Sequence, residues 1–67
     1  AELVLEVRVG QARLSVQELA SLKVGQVVDL GAPLGQPVAL VAGGEVIGAG
    51  ELVNVEERLG VRVSSRR

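Results

Sequence analysis

The decisive stretch is Gly44-Glu45-Val46-Ile47-Gly48-Ala49-Gly50-Glu51-Leu52-Val53, followed after a short break by Leu59-Gly60-Val61-Arg62-Val63. From Glu45 to Glu56 the chain reads as one long extended strand. Ile47, Ala49, Val53 and Val55 share a parity with Glu45 and Glu51, while Val46, Gly48, Gly50, Leu52 and Asn54 share the other. Side chains alternate across a strand, so both faces carry apolar groups. Gly48 and Gly50 fall on one side, two residues apart. Glycine inside a strand marks a bulge, a sharp coil or the close approach of another backbone. A strand bent at that point is able to leave its own subunit and pair with another. The glycines do not make a nucleotide loop: the dinucleotide fingerprint needs glycine where Val53 stands and a helix after it.

Outward from this strand the pattern is mostly period two. Leu3, Leu5, Val7 and Val9 alternate with Glu2, Glu6 and Arg8, which predicts a half-buried strand over 2–9. Ser15-Val16-Gln17-Glu18 is a capping box, with Leu14 and Leu19 placed as a hydrophobic staple. It predicts about two turns of helix around 16–23, with Lys23 favoured at the negative end of the dipole and Gly25 as a left-handed cap. Strands are expected at 26–30 and 38–41, joined by the turn-rich Gly31–Pro37. Paired glycines at 43 and 44 supply the positive φ of a tight hairpin. Glu57-Arg58 reads as a turn, 59–63 as a last strand, and 64–67 as a polar tail. The expected order is β-α-β-β-β-β: mainly β with one short helix, in a single domain spanning 1–67.

Composition narrows the function classes. The 67 residues include no aromatic, Cys, Met or His. No disulfide or zinc site can staple the fold. No His, Cys or Tyr can act as base or nucleophile. No ring can stack on a base, and the net charge of −1 disfavours a phosphate-binding surface. Asp29, Glu45, Glu51, Glu56 and Glu57 have no calcium-loop spacing, and charges on strands commonly block aggregation. Arg58, Arg62, Arg66 and Arg67 read as solvated surface. Lys23, the single lysine, suits a helix end better than a carrier site for biotin or lipoate. The chain is therefore expected not to be an enzyme and to need no cofactor and no metal. No apolar run approaches the ~20 residues of a membrane span. The start at Ala1, directly in a strand, suggests the C-terminal piece of a longer protein.

Packing is the sharper constraint. A domain of this size hides only about 60% of its unfolded surface, and Val, Leu and Ala bury less area each than aromatic rings. With staples absent, association is the remaining route to stability. Val4, Val27, Leu34, Val46, Leu52 and Val53 do not fit one inward face, and uncovered apolar patches mark interaction sites.

The residues that carry these readings also carry a resemblance. Leu14-Ser15-Val16-Gln17-Glu18-Leu19, Gly25, Val28, Leu30, Pro37-Val38, Leu40-Val41, the Gly44–Val53 run and Leu59-Gly60-Val61-Arg62-Val63 together resemble the SpoA (surface presentation of antigens) domain. That domain ends the flagellar motor-switch protein FliN and the cytoplasmic-ring proteins of type III secretion systems of the YscQ, HrcQ and SpaO types. The resemblance implies an intertwined dimer of small barrel-like sheets, in which strands of one chain complete the barrel of the other. It implies a cytoplasmic ring, or sorting platform, at the cytoplasmic face of the inner membrane, peripheral and not inserted. Its implied partners are itself or a paralogous SpoA domain, other ring proteins and the regulator of the export ATPase. By motif position, the patch for that regulator falls at Leu52, Val53 and Val55, with Asn54 interrupting the apolar run.

The expectation is thus a non-catalytic assembly domain of a bacterial type III secretion apparatus, dimerising by strand exchange. Its interface is expected at Leu3, Leu5, Val7, Val28, Leu40, Val46, Ile47, Gly48, Gly50, Leu52, Val53, Val61 and Val63. The alternatives are a flagellar switch ring component, a swapped-hairpin DNA-binding regulator, which the charge disfavours, and a monomeric carrier modified at Lys23.

Overall fold

Two tight turns organise the chain. Gly43 and Gly44 (φ 58° and 79°) and then Glu56 and Glu57 (φ 50° and 67°) each place two successive residues in the left-handed region, the geometry whose twist suits two-residue hairpins. Asn54 Oδ1 braces the second turn by accepting the Glu57 N–H at 2.9 Å. The computed structural model describes residues 1–67. Its elements are β1 (Leu5–Arg8), α1 (Val16–Ala20), β2 (Val38–Ala42), β3 (Glu45–Val55) and β4 (Arg58–Arg66). The strands form one antiparallel sheet in the order β1-β2-β3-β4.

β3 is the spine. It pairs with β2 from Glu45 to Gly50 and with β4 from Gly48 to Val55. Two register shifts bend it. Val46 pairs with Val41 and Gly48 with Leu40, leaving Ile47 as the extra residue. Ala49 pairs with Ser65 and Gly50 with Val63, leaving Ser64 as the extra residue on β4. The second shift sits at the glycines, where the sequence predicts a bulge or a close approach, and both occur. A Cβ on Gly50 would lie 2.5 Å from the Arg62 carbonyl oxygen, and one on Gly48 would strike the Ser65 carbonyl. Within the chain the approaching backbone is that of β4, and β3 has neighbours on both edges only from Gly48 to Gly50.

Several boundaries differ from expectation. β1 is shorter than 2–9 because its partner β2 has only five residues, which leaves Leu3 and Val4 without a ladder. The helix stops at Ala20 rather than 23. Its capping box forms as read, with Ser15 Oγ accepting the Glu18 N–H at 3.0 Å and Glu18 Oε1 accepting the Ser15 N–H at 3.2 Å. Ser21 then ends the helix, its N–H and hydroxyl both bonding the Gln17 carbonyl. Lys23 and Gly25 therefore lie beyond the helix, and Lys23 opens a turn in which its carbonyl accepts the Gln26 N–H. The final turn is Glu56-Glu57, not Glu57-Arg58, and β4 runs through the expected polar tail to Arg66. The expected strand at 26–30 has no ladder, so the order is β-α-β-β-β.

That missing ladder belongs to a larger feature. Between β1 and β2, which pair directly, residues 9–37 form a long arm pinched at its base where Gly10 meets Leu30 and Ala32. No backbone group from Gly10 to Leu14, or from Val27 to Gln36, bonds to another backbone group. The core is correspondingly small: Val38, Leu40 and Val41 are its buried apolar side chains.

Candidate functional site: an uncovered apolar surface

Register sorts the apolar residues onto two faces. Leu5 stands opposite Ala42, Val7 opposite Leu40, Leu40 opposite Gly48, Gly50 opposite Val63 and Leu52 opposite Val61. Directly paired residues share a face, so these form one continuous apolar surface across all four strands. The sheet curls towards this side. Val7 and Val9 from the first strand region and Leu52, Leu59 and Val61 from the last two strands line a common cleft of about 170 Å³. It is half a barrel with no lid.

The expected interface residues divide by this geometry. Leu40, Gly48 and Gly50 are buried within the single chain. Leu5, Val7, Leu52, Val61 and Val63 share their face but remain exposed or half-buried. Val46, Ile47 and Val53 lie on the opposite face, where Val46 covers Val41 across the ladder. Leu3 precedes β1 and is 83% exposed, and Val28 belongs to the arm. The expected partner patch also splits: Leu52 faces the cleft, whereas Val53 and Val55 alternate to the outer face.

Other exposed apolar residues lie outside the expected interface set, although Leu34 is among those expected to fit no inward face. Leu59, 78% exposed, joins Leu52 beside the second hairpin, in a cleft of about 320 Å³ that also includes Asn54, Glu57 and Arg58. Val24 and Leu34 in the arm are fully exposed at 109% and 103%. Their signal is an apolar side chain in a turn-rich segment with no partner at strand or helix spacing. Gln11–Leu14 and Gln26–Gly31 flank an open groove of about 490 Å³.

Electrostatics contribute little to this surface. The ion pairs Arg8–Glu6 (3.6 Å), Arg58–Glu56 (3.9 Å) and Arg62–Glu51 (2.9 Å) are all solvent-exposed, a class worth about 0–1 kcal/mol each. No acidic cluster of three or more converges on a common point. No helix is long and apolar enough to cross a membrane.

The surface area quantifies what is uncovered. A folded monomer of 6.9 kDa should expose about 4,000 Å² and have a radius of gyration of about 11 Å. This chain exposes 6084 Å² with a radius of 14.7 Å. Its 26 backbone hydrogen bonds fall short of the roughly two for every three residues, about 45 here, of a folded domain.

The same architecture occurs elsewhere. The C-terminal domain of the HrcQb protein from Pseudomonas syringae pv. phaseolicola superposes with a TM-score of 0.86 at 33% identity, covering 100% of this chain and 93% of that one. The Yop proteins translocation protein Q of Yersinia pseudotuberculosis is 42% identical over 55 residues, which is 82% of this chain and 18% of that protein. The flagellar motor switch protein FliN of Escherichia coli is 37% identical over 60 residues, 90% of this chain and 44% of that protein. The chain thus spans less than half the length of these two relatives. Residues 1–66 match the family described as type III flagellar switch regulator (C-ring) FliN C-term. The curled glycine-bent sheet, the capped arm and this match agree: the chain belongs to the FliN C-terminal family, a C-ring-type assembly domain and not an enzyme.

Proposed function

We propose that this domain pairs with a second copy, or a paralogous domain, by strand exchange, and so builds the cytoplasmic ring of a type III secretion apparatus. The carrying observation is the surface excess. A compact dimer of twice 6.9 kDa would expose about 6,600 Å², so pairing two such chains removes about 5,500 Å² from water. That lies at the upper end of obligate dimer interfaces. The exposed residues of the cleft face supply its centre: Leu5, Val7, Leu52, Val61 and Val63. The secretion assignment is supported by the higher identity to the Yop translocation protein Q, 42% against 37% for FliN. The flagellar ring is the second reading, since the FliN match extends over more of the chain, 90% against 82%.

Val53 and Val55, on the outer face, form the part of the expected patch that stays available to another ring protein or to the regulator of the export ATPase, while Leu52 goes to the pairing face. The domain works in the cytoplasm, peripheral to the inner membrane. Light scattering or sedimentation from micromolar to millimolar concentration tests the pairing. The expected mass is twice 6.9 kDa throughout; a folded monomer across that range overturns it.

A further inference from the structure

We infer that two paired copies of this chain separate only by unfolding, so that a subunit takes its partner while it folds and does not exchange it afterwards. This rests on the pairing reading above. Proteins that dock as finished bodies each keep a complete core when apart, and standard interfaces between them remove about 1,200–2,000 Å² in total. Here the surface to be covered is about 2,800 Å² for each chain. What is left without a partner is also part of the interior.

Three observations locate the deficit in the fold itself. The buried apolar side chains number three, all from β2. The arm from residue 9 to 37 carries Val24, Val27 and Leu34 in solvent, with no backbone-to-backbone hydrogen bond along Gly10–Leu14 or Val27–Gln36. The cleft face is half a barrel, with Val7 and Leu52 at its mouth. A released subunit of this shape would hold an almost empty interior and a segment with nothing to order it. Such a species exposes 6084 Å², against about 3,300 Å² per chain in the pair and about 10,000 Å² unfolded, so separation alone forfeits about two-fifths of the area that folding and pairing bury. With buried apolar side chains left only on β2, separating the pair and unfolding its subunits become the same event. Partner choice between this chain and a paralogue is then made during folding, and the ratio of like to mixed pairs is set by synthesis rather than by later equilibration.

The test compares two rates on one protein. Isotopically labelled and unlabelled dimers are mixed, and the mixed species is followed by native mass spectrometry. Unfolding is followed in parallel by far-ultraviolet circular dichroism after urea jumps, because the chain has no aromatic fluorophore. The mixed dimer should appear within about threefold of the unfolding rate extrapolated to water. Its logarithm should rise with urea along the same slope as the unfolding limb. Gly50→Ala, which strains the β3–β4 contact, should speed both processes by the same factor. Exchange about tenfold or more faster than unfolding, and flat in urea, overturns the inference while leaving the dimer intact. A protein that remains monomeric at every concentration overturns the pairing reading itself, and the inference with it.

Discussion

Replacing Gly50 by alanine puts a methyl group 2.5 Å from the Arg62 carbonyl oxygen and 2.8 Å from Val61 Cγ2. The first of these is backbone of the neighbouring strand, which cannot rotate away as a side-chain tip can. Relief requires β3 and β4 to part at the centre of the sheet, where Gly50 pairs with both Val38 and Val63. Overpacking of this kind costs about 1–3 kcal/mol. One or two weakened ladder hydrogen bonds add about 0.5–1.5 kcal/mol each. Removing glycine from a strand returns about 0.5–1 kcal/mol. The net loss is therefore about 0.5–5 kcal/mol, centred near about 2–3 kcal/mol, against a total of roughly 3–10 kcal/mol for a domain of this length. At a urea slope of about 1–2 kcal/mol per molar, the central loss of about 2–3 kcal/mol lowers the midpoint by about 1–3 M. It must be read by circular dichroism at one chain concentration, because pairing makes midpoints concentration-dependent. Gly43 provides the control: its φ of 58° lies in the left-handed region, and an added Cβ meets nothing within 4 Å. Asparagine tolerates that conformation, so Gly43→Asn should stay within about 0.5 kcal/mol of the parent, while Gly50→Asn should be worse than Gly50→Ala. A Gly50→Ala midpoint within about 0.3 M of the parent would refute the close-approach account.

Glu57→Gly should raise the urea midpoint by the equivalent of about 0.5–1 kcal/mol, because it relieves a non-glycine residue at φ 67° in the β3–β4 turn. Ser15→Ala removes the acceptor for the Glu18 N–H and should speed amide exchange at Glu18 and Leu19 about fivefold, at roughly 1 kcal/mol, without changing the dimer mass. A double-mutant cycle on Glu51 and Arg62, both exposed, should give a coupling below about 1 kcal/mol despite their 2.9 Å contact. Val55→Asp should abolish capture of the export-ATPase regulator in a pull-down while the scattering mass stays unchanged; lost dimerisation would move Val55 from the partner patch to the pairing interface.

The strands whose partners lie nearby in sequence were legible. Gly43-Gly44 announces its hairpin, the parity of Glu45–Val55 gives the spine, and the Ser15–Glu18 box starts the helix at the right residue. The second turn was displaced by one residue because two glutamates occupy positions that normally signal themselves with Asn-Gly. The helix was overextended because Leu22 and Lys23 continue an acceptable pattern, and Ser21 stops it only through a hydroxyl bond to Gln17. The 26–30 segment has strand-forming residues in Val27, Val28 and Leu30, but periodicity describes a segment's readiness to pair and not the presence of a partner. The candidate surface was legible as an excess of apolar residues. Its division between two faces was not, because the shifts at Ile47 and Ser64 change which side a given parity reaches.

Pairing of two identical chains about a two-fold axis uses the same surface on both and therefore closes on itself. The cleft face and arm, once covered by a second copy, offer nothing to a third. A ring needs a further contact that does not close, and it has to come from residues the pair leaves outside. Within this chain those are Val53 and Val55 on the outer face beside the second hairpin, at the end of the sheet remote from the Gly43–Gly44 turn. That patch is too small to hold an assembly by itself, since stable interfaces remove more than about 1,000 Å². The isolated domain should accordingly stop at the pair, with scattering mass that reaches twice 6.9 kDa and rises no further with concentration. Growth beyond the pair then requires other ring proteins or further parts of a longer chain, and continued increase in mass for the domain alone would show that the hairpin patch self-associates.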